Sequence, residues 1–255
     1  MKIKEVIDAL ERFAPLPLQE GYDNAGLQVG LTETEVSGAL LCLDVTESIV
    51  DEALEKRCNL IVSHHPLLFH AIKTLSDINY VQRTVMKAIE NHVTVVSMHT
   101  NLDNAQGGVN FKMAEKIGLE YVRFFDEKIA DDVTSGNGVI GVLPTEMDSM
   151  AFIDKVKKVF GVECAQCNQL LHRKISKVAL CGGAGSFLLD DAIKTGADAF
   201  ITGEMHYHDF FGHEQEIQIA VLGHYQTEQY TNEILYSILR EAFPLLSLYM
   251  TEKNT

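Results

Sequence analysis

Short runs of apolar residues alternate with segments of helical periodicity along most of the chain. Each run has the length of a buried strand, and each following segment places its apolar side chains three or four residues apart. The predicted strands cover 39–43, 60–62, 93–96, 139–143, 178–181, 199–202 and 219–222. Strands that alternate with helices are typical of α/β architecture. We therefore predict an α/β fold of two domains with mixed, largely parallel sheets.

The alternation breaks over 125–138, where acidic, glycine and asparagine residues replace the apolar runs. We interpret this segment as a linker or an inter-domain crossing. One α/β domain is then expected over 1–125 plus about 205–255. A second α/β domain is expected as an insertion over about 126–204.

Composition and charge restrict the classes of partner. The chain has 255 residues, of which 46% are hydrophobic and 22% charged, so a disordered or fibrous protein is excluded. Lys and Arg total 21 against 36 Asp and Glu, which gives a net charge of −15. This charge opposes nonspecific binding of nucleic acid, which depends on clustered basic side chains, although it leaves room for a locally basic channel.

The N-terminal segment and the cysteines indicate a cytoplasmic protein with no membrane partner. Val6, Leu10 and Phe13 share one face of an amphipathic helix, which is not the pattern of a signal peptide. The apolar runs are shorter than the roughly 20 residues that cross a bilayer. Five cysteines, an odd number, do not form the disulfide framework of a secreted protein.

The strand 60–62 leads directly into Ser63-His64-His65-Pro66. Ligands bind at the carboxyl ends of strands in α/β sheets, so both histidines are candidate metal ligands. Pro66 favours extended backbone at His65, and successive side chains on extended backbone point apart. The two imidazoles are therefore expected to serve different ions. The alternative is a pair of polar residues that simply ends a strand.

The next strand, 93–96, is followed by His99 and Asp103. Two neighbouring strands thus offer ligand groups to the same crevice. The alternative role of Asp103 is to cap a helix that begins near Gly108.

His224 and Glu228 follow the strand 219–222, at the start of a predicted helix. Residues four apart lie on one face of a helix, so both side chains could bind one metal cluster. A surface pair of His and Glu is the alternative.

The combined candidates are three imidazoles and two carboxylates, namely His64, His65, Asp103, His224 and Glu228. Carboxylates can bridge two cations, and imidazole suits Zn, Fe, Ni and similar metals. We predict two divalent cations per chain, of the Zn, Fe, Mn or Ni class. Ions roughly 3.5 to 4 Å apart can generate hydroxide near neutral pH.

Three further features carry weaker signals. Glu204 and His206 follow the strand 199–202 and are candidates for lining the cleft, with plain surface exposure as the alternative. Cys164 and Cys167 have the spacing of a redox or zinc pair, but no second pair accompanies them. The glycine-rich loop 181–186 is interpreted as a tight turn in preference to an anion site.

Over nearly its whole length the sequence resembles the NIF-three-like or YbgI-like proteins, often labelled GTP cyclohydrolase I type 2 homologues. The motifs that carry the resemblance are Tyr22-Asp23-Asn24-Ala25-Gly26-Leu27-Gln28-Val29-Gly30, Ser63-His64-His65-Pro66, His99-Thr100-Asn101-Leu102-Asp103, Ile201-Thr202-Gly203-Glu204 and Gly223-His224 with Thr227-Glu228. The resemblance implies a toroidal homohexamer with a dinuclear metal site facing its interior. It implies the same five ligands, and it gives His99 a supporting or proton-transferring role.

The leading functional hypothesis is a metal-dependent hydrolase that acts on a nucleotide, a phosphoester or a ring amide. Metal-bound hydroxide would be the nucleophile, and His99 or Glu204 would move protons. The alternative is a nonenzymatic ring that presents metal ions for regulation or metal transfer.

Overall fold

The computed structural model describes residues 1–130 and 133–253. By their contacts these residues divide into two compact units. The first unit contains Met1–Ala105 and the chain from Thr231 onward, and the second contains Gln106–Tyr230. The insertion predicted over about 126–204 is shorter than this second unit. The predicted division into domains stays a prediction.

The described residues form strands and helices with the following bounds. The strands are β1 Gly26–Val29, β2 Ala39–Cys42, β3 Leu60–Ser63, β4 Thr94–Ser97, β5 Glu120–Phe124, β6 Lys128–Ala130, β7 Val133–Ser135, β8 Val139–Met147, β9 Gln166–Cys167, β10 Ile175–Cys181, β11 Ala199–Thr202, β12 Gln218–Val221 and β13 Leu248–Met250. The helices are α1 Ile3–Phe13, α2 Glu47–Glu55, α3 Tyr80–Glu90, α4 Thr100–Asp103, α5 Val109–Ile117, α6 Ser149–Phe160, α7 Leu189–Lys194, α8 His224–Glu228 and α9 Thr231–Ala242. Short 3₁₀ turns cover Leu16–Leu18, Gly185–Leu188 and Tyr207–Phe210.

The first unit is built on a five-stranded sheet in the order β1-β4-β3-β2-β13. All neighbouring strands are parallel except β1, which runs antiparallel to β4. Every residue of β2, β3 and β4 is buried, as expected for central strands that are covered on both faces. Cys42, Ser63 and Ser97 lie in register at the carboxyl ends of these strands. The segments that follow the three strands therefore emerge at one edge of the sheet.

The second unit contains a six-stranded mixed sheet in the order β5-β8-β10-β11-β12-β9. Its central strands β10, β11 and β12 are parallel, and the outer pairs are antiparallel. Cys181, Thr202 and Val221 end the parallel strands in register. The predicted α/β class with mixed sheets is confirmed.

The segment 125–138, predicted as a linker, lies inside the second unit. Within it β6 and β7 pair as an antiparallel ribbon, and residues 131 and 132 between them lie outside the described part of the chain. Among the helices of the described residues, none has the length and apolarity that a bilayer span requires.

Candidate metal centre

The imidazoles of the first unit follow the ends of β3 and β4. His64 and His65 come directly after β3, and His99 comes two residues after β4. Each of the three offers a ring nitrogen within 4.8 Å of the others. The expectation that His64 and His65 point apart is wrong, because their ring centroids lie only 4.8 Å apart. The chain bends at these two residues, where the Ser63 hydroxyl donates to the His65 carbonyl at 2.8 Å.

His64 is fully buried and held by the backbone. Its Nδ1 donates to the Met98 carbonyl at 2.8 Å. Because a carbonyl can only accept, the ring proton is on Nδ1 and the lone pair is on Nε2. Nε2 lies 3.7 Å from Oδ1 of Asp103, which ends the short helix α4. An imidazole nitrogen and a carboxylate oxygen thus face each other inside the first unit.

His65 is oriented by a carboxylate. Its Nδ1 donates to Oδ1 of Asp44 at 2.9 Å. Asp44 lies two residues beyond β2, the strand beside β3. A carboxylate on Nδ1 fixes the tautomer and raises the basicity of Nε2, which is the usual support for a metal-bound histidine.

His99 forms a hydrogen-bonded pair with Asp23, whose side chain has no exposed surface. The His99 Nδ1 donates to Asp23 Oδ1 at 2.7 Å, and the Thr100 amide donates to Oδ2 at 3.1 Å. The Thr100 hydroxyl donates to the same Oδ2. Burial raises the pKa of Asp23, but these hydrogen bonds outweigh it and lower that pKa to about 2. Asp23 is therefore a firmly ionised partner for His99.

The ligand candidates of the second unit are held on α8. His224 and Glu228 are the first and last residues of this helix, and Nε2 of His224 lies 3.1 Å from Oε2 of Glu228. The His224 Nδ1 donates to Oε1 of Glu204 at 2.9 Å. Nε2 of His224 thus faces Oε2 of Glu228, a carboxylate that is only 6% exposed. A cation between these two atoms would satisfy both.

Glycine residues after the parallel strands let the backbone approach Glu228 closely. A Cβ on Gly183 would lie 2.2 Å from Oε1 of Glu228, and the φ of Gly183 is +54°. A Cβ on Gly203 would lie 2.6 Å from the Gly183 carbonyl. The Gly183 amide also donates to Oγ1 of the buried Thr227 at 3.0 Å. The loop 181–186 is thus a close-packed wall beside Glu228.

The donor chemistry of both units fits divalent metal ions. The nitrogen and oxygen atoms that lie 3.7 Å apart in the first unit and 3.1 Å apart in the second could each lie about 2.1 Å from one ion. The structure brings His64 close to both His65 and Asp103 within the first unit, and His224 close to Glu228 within the second. Glu204 supports His224, whereas His206 is exposed and its amide bonds to Asp209.

Some residues beside the candidate ligands were not predicted from the sequence, and some candidates belong to no site. Asp44 could have been predicted because it follows a strand end, as the histidines do. Asp23 lies within the Tyr22 to Gly30 motif, but nothing in the sequence pairs it with His99. Cys164 and Cys167 are exposed free thiols, and within the described residues neither belongs to a group of three metal-binding side chains.

Comparison with known proteins gives matches along the whole chain. Residues 1–255 match the family model described as Duf34/NIF3 (NGG1p interacting factor 3). A Clostridium perfringens protein named GTP cyclohydrolase 1 type 2 homolog is 35% identical over 229 residues, 89% of this chain and 87% of the relative. A Campylobacter jejuni protein of the same name is 30% identical over 255 residues, 100% of this chain and 98% of the relative.

The fold also matches solved structures. The crystal structure of Staphylococcus aureus protein SA1388 has a TM-score of 0.91 to this chain at 24% identity. The match covers 100% of this chain and 97% of that one. The likeness therefore includes both compact units.

Proposed function

Because the chain belongs to the Duf34/NIF3 family, we propose that it is a metal-dependent hydrolase with a dinuclear centre, acting on a nucleotide, a phosphoester or a ring amide. The observation that carries the proposal is a hydrogen-bonding pattern that three imidazoles have in common. His64, His65 and His224 each donate Nδ1–H to an oxygen and present Nε2 as the metal-binding atom. Sequence relatives named GTP cyclohydrolase 1 type 2 homolog support a hydrolytic reaction on a ring system.

The proposed ligands of the two cations are His64, His65, Asp103, His224 and Glu228. Three neutral imidazoles and two carboxylates suit Zn, Fe, Mn or Ni. When bound, such cations polarise the substrate and supply an activated water near neutral pH. Elemental analysis of protein purified without strong chelators should find between one and two equivalents of metal. Glu228→Gln should lower that count, and an undiminished count would remove Glu228 from the centre.

In this proposal His99 moves protons and Asp23 positions it. Asp23 holds the Nδ1 proton of His99, so Nε2 is the atom that takes a proton from the attacking water. The ionised carboxylate then stabilises the imidazolium until the proton passes to the leaving group. Glu204, a second candidate for proton transfer, instead positions His224 through Nδ1.

A substrate screen of the metal-loaded protein tests the enzymatic role. Turnover of a nucleotide or phosphoester should be lost on chelation and in His65→Ala. The exposed His172 provides a matched control, since among the described residues it belongs to neither group of candidate metal-binding side chains. His99→Gln should keep the metal and lower the rate by roughly 10² to 10⁴. Full metal occupancy with no turnover of any substrate would favour a regulatory or metal-transfer protein.

We also propose a toroidal homohexamer, which rests on the resemblance to the family. Copies with a charge of −15 repel each other, so a closed ring must bury contacts that overcome this repulsion. Light scattering coupled to size exclusion should give a mass about six times 28.4 kDa. A monomer at micromolar concentration and physiological salt would refute the ring and leave the ligand proposal standing.

A further inference from the structure

A line of aromatic rings connects the buried imidazole of His64 to the surface of the first unit. The His99 ring lies 5.3 Å from the His64 ring and 6.1 Å from the Phe69 ring, measured between centroids. Phe69 lies in turn 6.4 Å from Tyr22. Exposure rises along this line, from 0% at His64 to 40% at Phe69 and 67% at Tyr22. The rings thus lead outward from the candidate ligands.

Phe69 and Tyr22 are not part of the apolar core. The preceding residues of the same loop, Leu67 and Leu68, pack into the core of the first unit, whereas Phe69 turns toward His99. Exposed aromatic side chains that are fixed beside a site are typical of ligand recognition.

Hydrogen bonds hold the two ring-bearing segments together. The Asn24 side-chain amide donates to the Leu68 carbonyl at 2.8 Å, and the Leu68 amide donates to Oε1 of Gln28 at 3.1 Å. Asp23, next to Tyr22, is bound by His99 and Thr100. The backbone segments that carry the two rings are therefore held in place before any ligand arrives, which lowers the entropic cost of binding.

We propose that Tyr22 and Phe69 form a stacking surface for a nucleobase or a related flat nitrogen heterocycle, which they hold beside His99. Aromatic side chains bind such rings through their faces, with little dependence on the particular base. The two rings are inclined at 65° to each other, and their 40% and 67% exposure leaves part of each ring open to solvent. This inference rests on the proposed hydrolase function. A stacking surface would favour substrates that contain a flat ring over simple phosphoesters.

Two probes that share a phosphate and differ in the ring test the proposal. The metal-loaded, full-length protein is titrated calorimetrically with guanosine monophosphate and with ribose 5-phosphate. Guanosine monophosphate should bind at least about tenfold tighter. Phe69→Leu and Tyr22→Leu should each remove about tenfold of this affinity and leave ribose 5-phosphate binding unchanged. Phe69→Tyr and Tyr22→Phe, which keep an aromatic ring, should retain the affinity for guanosine monophosphate.

Phe187→Leu is the matched control, because Phe187 is 63% exposed in the second unit. Equal binding of the two probes would overturn the stacking surface, and so would a ring preference that survives both leucine variants. Metal content is measured on the same samples. Ring-dependent binding in protein that holds no metal would refute the dinuclear centre and leave the stacking surface standing.

Discussion

The two units hold their candidate ligands in opposite ways. In the first unit the imidazole of His64 is fully buried and its partner Asp103 is 23% exposed. In the second unit the imidazole of His224 is 37% exposed and its partner Glu228 is only 6% exposed. Each unit thus fixes one ligand firmly and leaves the other nearer to solvent.

The means of fixation differ as well. A backbone carbonyl at the end of β4 orients His64, and no side-chain substitution can remove it. His224 depends on Glu204, whose side chain is 59% exposed, while Glu228 is enclosed by the wall around Gly183. A fixed ligand needs no ordering when metal binds. Substitutions should therefore reduce metal binding most where they disturb Gly183, and less where they remove an exposed supporting carboxylate.

The largest expected effect is that of Gly183→Ala. The added Cβ would overlap Oε1 of Glu228, and the alanine would have to adopt a left-handed backbone conformation. We expect the loss of about one metal equivalent by elemental analysis. The free energy of unfolding should fall by roughly 2 to 5 kcal/mol, since overpacking and the left-handed conformation both contribute.

Gly161→Ala is the matched control for backbone strain. Gly161 has a φ of +66°, with nothing within 4 Å of an added Cβ. This variant should lose about 1 kcal/mol and keep its metal. Equal metal content in the two variants would show that the wall beside Glu228 does not govern metal binding.

Removal of the supporting carboxylates should have a smaller effect. Asp44→Ala and Glu204→Ala each free the Nδ1 of a candidate ligand, so metal affinity should fall by about 10- to 100-fold in competition with a chelator. Glu163→Ala, which removes an exposed glutamate, serves as the control. An affinity unchanged by Glu204→Ala would mean that α8 alone orients His224.

Sequence periodicity predicted the central strands, and the ends of these strands predicted where most of the candidate ligands lie. His64, His65 and His99 could be found because parallel strands that end in register bring successive loops to one edge. Strand β1 was missed because it is short and antiparallel, and its Leu27 is exposed where an apolar residue should be buried.

Hydrogen-bond partners were beyond what the sequence could predict. Glu204 and His224 are separated by 20 residues, and Asp23 and His99 by 76. No periodic pattern links such pairs, which depend on how strands order within a sheet. The converging rings of His64 and His65 likewise depend on a local bend that the alternation rule for extended chain does not describe.

Asp23→Asn tests whether the first unit depends on a buried charge. The pKa of Asp23 is lowered from its ordinary value of 3.8 to about 2 by its hydrogen bonds. The ionised form therefore stabilises the fold by roughly 2 kcal/mol above about pH 4, and this contribution is lost as the pH falls through about 2. Denaturant unfolding of metal-free protein should show a wild-type advantage at pH 6 that shrinks toward pH 2.

Asp51→Asn is the control for this loss of charge. Asp51 forms an ion pair with Lys87 in the first unit, and its side chain is 48% exposed. Exposed pairs contribute about 0 to 1 kcal/mol, so this variant should change little. A pH-independent difference between wild type and Asp23→Asn would contradict a role for the buried charge.

The smallest effect is expected for the two exposed cysteines of the second unit. Although the Cys167 side chain is exposed, partial desolvation raises the pKa of its thiol, and the neighbouring Cys164 adds to the shift, so the reactive thiolate is disfavoured. Serine at both positions should leave metal content unchanged and shift the free energy of unfolding by no more than about 0.5 kcal/mol. Loss of a metal equivalent in the double variant Cys164→Ser/Cys167→Ser would instead show that a thiolate of the second unit binds metal. The contrast between its exposed His224 and its enclosed Glu228 would then no longer describe how that unit binds metal.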